Sequence, residues 1–373
     1  MNTNMRKALG IAASAVLAVG VTACGDDEDT GSSNGGGTAT AAESGGGSLS
    51  GNLAGAGASS QDAAQQAWIA GFQTANEDVT VSYDPVGSGG GREQFIAGGT
   101  AYGGTDSLFE DDELKGAQDR CGGPDKFIEI PVYISPIALV YNVDGVEELN
   151  LAPETIAAIF KGDITSWDDE AIKADNPDAD LPGERITVVH RSDESGTTEN
   201  FQDYLAAVAP DVWDFEVSGD WPVKGQEAAN GTSGVIDAVS NGAFTIGYAD
   251  ASQAGDLSVA NVQVGEEFQP PTPEAAAAVL ENSEQLENEG ANQVTFELNR
   301  ETEGSGEYPI VLVSYAMACT EYEDANEAAL VKGLMEYIVS PEGQQAAAEN
   351  AGSAPLSEGL TEQVSKVVEA IKG

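Results

Sequence analysis

Ile186-Thr187-Val188-Val189-His190-Arg191-Ser192-Asp193-Glu194-Ser195-Gly196-Thr197-Thr198-Glu199-Asn200-Phe201 begins as a short β-branched apolar run and passes through a polar stretch. It then enters a segment whose Phe201, Tyr204, Leu205 and Val208 share one helical face. The first part reads as a strand over 186–189, the last as a helix, and the middle as the loop between them. Outward from this unit the same succession recurs. Val79, Val81 and Tyr83 alternate, and longer strand runs lie at 127–134, 137–141, 243–248 and 308–318. Helical faces are formed by Ala64, Ala67, Trp68, Gly71 and Phe72, and by Leu330, Val331, Leu334 and Ile338. Strands alternating with helices predict an α/β protein whose sheets are mostly parallel and covered on both faces. No period of 20 to 50 residues repeats, which argues against a solenoid. The stretch 269–290 is acidic and rich in Ala and Pro, and reads as a surface excursion with one helix over 273–282.

The charge balance excludes whole classes of partner. Of 373 residues, 63 are Asp or Glu and only 15 are Lys or Arg, a formal net charge of −48. Nucleic acid and anionic membrane surfaces would meet a repulsive field, so no nucleic acid is expected as a partner. The excess suits an exported protein in a saline or variable medium, where salt screens exposed charges within about 10 Å. Three Cys and one His are too few soft ligands for a structural zinc cluster, and no G-x-x-x-x-G-K-[ST] loop is present for nucleotides, so neither metal nor cofactor is expected.

The N-terminus speaks of export. Arg6 and Lys7 precede an apolar run over 8–23, interrupted only by Ser14 and Thr22 among polar residues, that stops at Cys24. The run is short for a membrane-spanning helix and reads as a signal peptide over 1–23. Val21-Thr22-Ala23-Cys24 resembles the bacterial lipoprotein cleavage box, which implies that Cys24 carries lipid; the alternative is an ordinary signal peptide with an incidental cysteine. Residues 24–50 are almost wholly Gly, Ser, Thr, Ala and acid with no aromatic, and read as a flexible linker with a span of about 25–30 Å. Loss of 1–23 removes two positive charges and no negative ones, taking the formal charge from −48 to −50. The expected location is the extracytoplasmic face of the cell membrane. About 320 residues then remain, more than one core usually serves, so two lobes are expected. Cys121 and Cys319 are an even pair in a compartment where disulfides persist; a bridge and two separately buried thiols are both open on this reading.

Two further strand–loop–helix junctions match the one first quoted. Gly55-Ala56-Gly57-Ala58-Ser59-Ser60 precedes the helix bearing Trp68, and Val86-Gly87-Ser88-Gly89-Gly90-Gly91 opens a helix with Phe95 and Ile96. In open α/β sheets, ligands bind beyond the carboxyl ends of strands, where helix N-termini present unpaired N–H groups to anions. Glycines admit close approach, and hydroxyls serve either as ligand donors or simply as caps, so each loop alone decides little.

Together, the order and spacing of these loops resemble the phosphate-binding lipoprotein of the bacterial high-affinity phosphate ABC transporter. The resemblance covers essentially all of 50–373. It includes Gly103-x-Thr105-Asp106, Trp167-Asp168-Asp169-Glu170-Ala171-Ile172, Arg191-x-Asp193-x-Ser195-Gly196-Thr197 and Gly247-Tyr248 besides the Gly-rich loops. It implies a two-lobed periplasmic-binding-protein fold with a central mixed sheet in each lobe and two crossover segments. Residues 51–136 and 308–373 would form one lobe and 137–307 the other, and Cys121 and Cys319 would share a lobe, which favours their bridging. Carried over position by position, the phosphate shell falls on Ser59, Ser60, Ser88, Asp106, Arg191, Ser195, Gly196 and Thr197, with Asp193 orienting Arg191. The implied partners are inorganic phosphate and the membrane permease and ATPase subunits of an ABC transporter, served by a monomer held at the membrane through its lipid.

Each implied role has a physical basis. Arg191 offers a planar fork to two oxygens, steadied by Asp193. Asp106 is the discriminator: a carboxylate beside a dianion is costly unless a proton lies between them, which hydrogen phosphate carries and sulfate lacks. Its alternative role is a helix cap. Where relatives often have Thr then Phe, this chain has Ser59-Ser60, which keeps backbone donors and loses an apolar wall. His190 is expected to be structural. The competing functions are a protein of the same fold for a phosphonate, phosphate ester, sulfate or molybdate, a surface lipoprotein without ligand, and a phosphatase or serine hydrolase using Ser195 or Ser88. Neither serine sits in Gly-x-Ser-x-Gly and His190 is the single histidine, so no enzyme is expected.

Overall fold

The computed structural model describes residues 49–372. The expected signal peptide, Cys24 and nearly all of the linker lie outside the described residues; of the linker, Leu49 packs on the core beside Gly333. No helix among the described residues is long and apolar enough to cross a membrane.

One mixed sheet organises the chain. Its strands follow the order Val79–Asp84, Gly51–Gly57, Tyr102–Thr105, Val311–Cys319, Phe127–Asn142, Thr245–Asp250, Thr187–Arg191 and Glu227–Ala229, with Ser258–Val259 also paired to Phe127–Asn142. Pairing is parallel in both wings, as alternation of strands with helices implies, and antiparallel at the three central steps. An apolar run buried on both faces looks the same in either direction, so the sequence pattern does not distinguish them.

The two runs at 127–134 and 137–141 are a single strand, Phe127–Asn142, buried over all but its last residue. It contains Pro131 and Pro136, which cannot donate to a ladder. Pro131 sits where the register with Val311–Cys319 shifts, between the pairs Ser314–Tyr133 and Tyr315–Pro131. Pro136 faces Val311 at the end of that pairing, and from Ile137 onward the strand pairs with Thr245–Asp250 instead. Both prolines therefore occupy positions where a ladder donor is dispensable, and the strand joins two half-sheets without a break.

Helices cover both half-sheets because their apolar faces need a partner. A 14-residue helix such as Asp62–Ala75 is marginal alone. Burial of Ala64, Trp68 and Phe72 holds it down, at about 1.5–3 kcal/mol for a large side chain, and Trp68 Nε1 donates to the Gly343 carbonyl at 2.9 Å. In the other half, Phe160, Phe201, Trp221 and Tyr248 form one aromatic cluster, with Phe201 4.8 Å from both Phe160 and Tyr248 by ring centroids. The helix Gly196–Val208 stands on this cluster. The expected helix over 273–282 is Pro273–Glu281, capped by Thr272, whose Oγ1 accepts from Ala275 N. The segment after it turns back onto the first half-sheet, where Val294 N donates to Glu129 O at 2.8 Å. Cys121 and Cys319 form a disulfide with Cα atoms 5.3 Å apart.

Candidate functional site

The three junctions named in the sequence converge where the half-sheets meet. Gly51–Gly57 ends in the loop carrying Ser59 and Ser60, ahead of Asp62–Ala75. Gly87 turns the chain into the helix Ser88–Ile96 at φ 93°; a Cβ there would lie 2.7 Å from Asp193 Oδ2 and 2.9 Å from Glu194 O, so only glycine lets this loop approach the one opposite. Tyr102–Thr105 delivers Asp106, and Thr187–Arg191 delivers Arg191 with the loop to Gly196–Val208.

Asp106 is the centre of the cluster. It is 3 % exposed and bound by hydroxyls from three directions. Ser60 Oγ donates to its carboxylate at 2.7 Å, Ser314 Oγ to Oδ1 at 2.5 Å, and Thr197 Oγ1 to Oδ2 at 3.1 Å. Its own N–H donates to Ser88 Oγ at 3.1 Å, and Asn200 Nδ2 donates to its carbonyl at 2.7 Å. Burial pushes the Asp106 carboxyl up from its ordinary range, opposed by the Ser314, Ser60 and Thr197 hydroxyls and by the charge of Arg191.

Arg191 is buried and spends Nε and Nη2 on Asp193, the former at 2.8 Å. Nη1 makes no hydrogen bond among the described residues. Burial alone would raise the Asp193 carboxyl, but Arg191 and the Gly231 N–H, 3.0 Å from Oδ1, outweigh it and hold Asp193 below its ordinary range. Asp193 is thus a fixed anchor for the guanidinium. The Arg191 N–H is in turn held by Tyr248 Oη at 3.2 Å, and Tyr248 Oη meets Thr198 Oγ1 at 2.7 Å, tying the loop to the aromatic cluster.

The remaining sequence-predicted residues take specific positions. Ser195 is the cap of Gly196–Val208, its Oγ accepting from Thr198 N at 3.2 Å. Gly196 lies against the opposite loops, where an added Cβ would be 2.7 Å from Asp106 Cβ and from Ser88 Oγ. Ser59 turns its hydroxyl to the helix Gly231–Asn241, accepting from Thr232 N at 3.1 Å. It does not cap Asp62–Ala75, whose N-cap is Gln61. Asp106 likewise caps no helix, since Asp111–Cys121 begins five residues later with Glu110 as its N-cap. His190 is structural: Nδ1 donates to the Arg191 carbonyl at 2.7 Å, its ring stacks on Trp221, and burial holds its pKa below the ordinary value.

Ser60, Gly196 and Thr197 keep backbone N–H groups that have no acceptor among the described residues. All three residues lie beside Asp106. Gly196 and Thr197 are the first two residues of Gly196–Val208, where a helix leaves its N–H groups without an internal partner, so these donors are free to meet an anion. With Arg191 Nη1 and the hydroxyl of Ser88, these groups compose a donor-rich niche in which one carboxylate is the exception. A cavity of about 340 Å³ also borders Asp106; Glu199, Asp203 and Glu297 line it with Arg300, which is paired with Asp203, so its lining is net acidic.

Sequence reasoning missed Ser314, Gln61 and Asn200. Ser314 was findable as the one small polar residue within the otherwise apolar and aromatic run Val311-Leu312-Val313-Ser314-Tyr315-Ala316-Met317-Ala318, since a polar group in a buried strand needs a partner.

Comparison with known proteins gives the same direction. The PBP superfamily domain matches residues 39–342. The Phosphate-binding protein PstS 3 of Mycobacterium tuberculosis is 35% identical over 96% of this chain and 98% of its own length. The Phosphate-binding protein PstS of Methanocaldococcus jannaschii is 31% identical over 81% of this chain and 80% of its own. The solved phosphate-binding protein of Stenotrophomonas maltophilia shares the fold at a TM-score of 0.68, with 19% identity, covering 84% of this chain and 93% of that one. The chain belongs to the PBP superfamily and, within it, to the family of the PstS phosphate-binding proteins.

Proposed function

We propose that the protein captures inorganic phosphate between two lobes and delivers it to an ABC permease, without changing it chemically. The observation that carries this reading is the niche around Asp106: unpaired N–H groups of Ser60, Gly196 and Thr197, and Arg191 steadied by Asp193, facing a single buried carboxylate. The N–H groups at the start of Gly196–Val208 and the guanidinium attract a dianion. Ser88 adds its hydroxyl, Thr197 offers its N–H while its hydroxyl stays on Asp106, and Ser59 and Ser195 hold the loops in register. Asp106 accepts the proton that hydrogen phosphate carries, and a fully ionised sulfate leaves lone pairs facing each other there.

Residues 51–136 with 308–373 act as one lobe and 137–307 as the other, with the segment near 294 folded back onto the first. The change of partner along Phe127–Asn142 between Pro136 and Ile137 supports this division. Contacts across the cleft, such as Asn200 to Asp106 and Arg92 Nη2 to Glu194 at 2.7 Å, support closure over the ligand. The chain works as a monomer outside the cytoplasm, anchored by lipid on Cys24 and tethered through 24–50. Its partners are the permease and ATPase subunits of a phosphate transporter.

Calorimetry of the mature chain with phosphate, arsenate and sulfate at fixed pH and salt tests the reading. Phosphate should bind more tightly than sulfate by about 10⁴- to 10⁵-fold, the margin of sites built around a buried hydrogen bond to the ligand. Sulfate binding as tight as phosphate, or tighter binding of a phosphonate or phosphate ester, would transfer the site to that oxyanion.

A further inference from the structure

A buried chain of polar groups leads to Asp106. Gln65 Nε2 donates to Gln61 Oε1 at 2.8 Å, Gln61 Nε2 donates to Ser314 Oγ at 2.5 Å, and Ser314 Oγ donates to Asp106 Oδ1 at 2.5 Å. Gln61 and Ser314 are fully buried, and Gln65 is 1 % exposed. Gly104 keeps the space open, since a Cβ there would lie 2.6 Å from Gln61 Oε1 and 2.8 Å from its Nε2.

The polarity of this chain matters because a serine hydroxyl has one proton. With the Gln61 amide filling a lone pair of Ser314, that proton has two acceptors within reach, Asp106 Oδ1 at 2.5 Å and Thr105 O at 3.4 Å, and the short contact to Asp106 takes it. The reverse polarity would turn the Ser314 proton toward Gln61 and set its oxygen against Asp106 Oδ1, which is compatible only with a protonated Asp106. It would also exchange the orphan acceptor now present, Gln65 Oε1, for an orphan NH₂ group. Buried orphan N–H groups are rarer than under-satisfied carbonyls, so the polarity with Ser314 donating is favoured.

We infer that Gln61 and Ser314 are positioning residues for ligand choice: they fix the Ser314 proton on Asp106 and hold that carboxylate as a pure acceptor, so the cleft admits an oxyanion that brings its own proton. The inference rests on the oxyanion-binding reading above. Other charged or titratable groups face Asp106 from neighbouring elements. Arg191, with Asp193 upon it, comes from the loop after Thr187–Arg191, and Tyr83 from Val79–Asp84. Arg92 of Ser88–Ile96, paired with Glu113 and Glu194, reaches the flanking Thr105 and Ser107. All are unchanged in the variants that test the idea.

The test titrates phosphate and sulfate into the parent, Gln61→Met, Ser314→Ala and Ser314→Thr between pH 5 and 8, with thermal unfolding recorded for each. In Gln61→Met and Ser314→Ala, Asp106 has lost the directed donor and takes up a proton more readily. Their acid-side loss of phosphate affinity should begin at least about one pH unit higher than in the parent. Sulfate should bind at least about tenfold more tightly at pH 5.5, because a neutral Asp106 donates to it. Ser314→Thr keeps the hydroxyl and should restore the parent profile. Folded Gln61→Met and Ser314→Ala proteins with the parent's pH profile and phosphate-to-sulfate ratio overturn the inference and leave phosphate binding intact. A parent that binds no phosphate sinks the binding reading itself. Carboxyl ¹³C NMR of the free parent supplies a check that needs no variant to fold: Asp106 ionised at pH 7 supports the relay, and Asp106 neutral there overturns it.

Discussion

Gly196→Ala separates closure of the cleft from the chemistry of the anion. The substitution keeps the backbone N–H of residue 196, leaves Arg191 and every hydroxyl in place, and adds one methyl group. Gly196 has no positive φ, so alanine meets no backbone strain, and at the first position of a helix it is if anything the better residue. The obstacle is the opposite wall. The new Cβ would stand 2.7 Å from Asp106 Cβ and Ser88 Oγ and 2.9 Å from Ser107 N, roughly 0.5–0.7 Å inside ordinary contact. Asp106 cannot swing aside, being held by Ser60, Ser314 and Thr197, and Ser88 Oγ already accepts from Asp106 N. The half-sheets must therefore stay slightly apart. Overpacking of this kind costs about 1–3 kcal/mol, which weakens phosphate binding by about 5- to 150-fold. The cost falls on the closed form alone, so the melting temperature of the ligand-free protein should not drop. Calorimetry and thermal scans with and without phosphate measure both quantities. Parent-like affinity would show that Gly196 does not meet Asp106 in the bound state, and an equal loss of stability without ligand would put the clash in a static core, refuting the closure argument.

Arg191→Lys replaces a planar fork with a point charge and releases Asp193; phosphate affinity should fall by about 1.5–3 kcal/mol by calorimetry, with sulfate and phosphate affected alike. Asp250 and Glu129 are buried carboxyls pushed up to about 7 by desolvation, so between about pH 4 and 7 the folded chain holds protons that the unfolded chain has lost. Stability from these groups is complete at the acid end and fades as the pH rises through 7. Asp250→Asn and Glu129→Gln should each flatten denaturant-measured stability across that window relative to the parent. Replacing both Cys121 and Cys319 by Ala opens a bridge spanning 198 positions and should cost about 2–4 kcal/mol in urea unfolding, with phosphate binding unchanged because neither sulfur reaches the cleft.

The parts of the fold and site legible in the sequence were those written locally. Phe201, Tyr204 and Leu205 show their helical spacing within one segment, and all three are fully buried. Gly87, Ser88, Arg191, Asp193 and Thr197 stand at strand–helix junctions whose composition already suits an anion. Asp106 gained its role from the pattern around it, and the structure adds the hydroxyls that make burial of its carboxyl tolerable. The unreadable parts depend on distance along the chain. Gln61 and Ser314 are 253 positions apart and meet only because Val311–Cys319 lies beside Tyr102–Thr105. Phe127–Asn142 looked like two strands because Ser135-Pro136 interrupts the apolar run, and local pattern cannot show that the change of partner falls at Pro136 itself.

The position of Val311–Cys319 has a consequence for how the protein must be made. It is the last strand to be synthesised, yet it fills the gap between Tyr102–Thr105 and Phe127–Asn142 in the middle of the sheet. Until residues beyond 311 have been made, those two strands are bare edges with unpaired ladder groups, and Asp106 lacks Ser314. Pairings of such long sequence separation form late and slowly. A chain cut short before residue 311 should therefore be an aggregation-prone and protease-sensitive species, and a competent fold should form only once Val311–Cys319 has taken its place in the sheet.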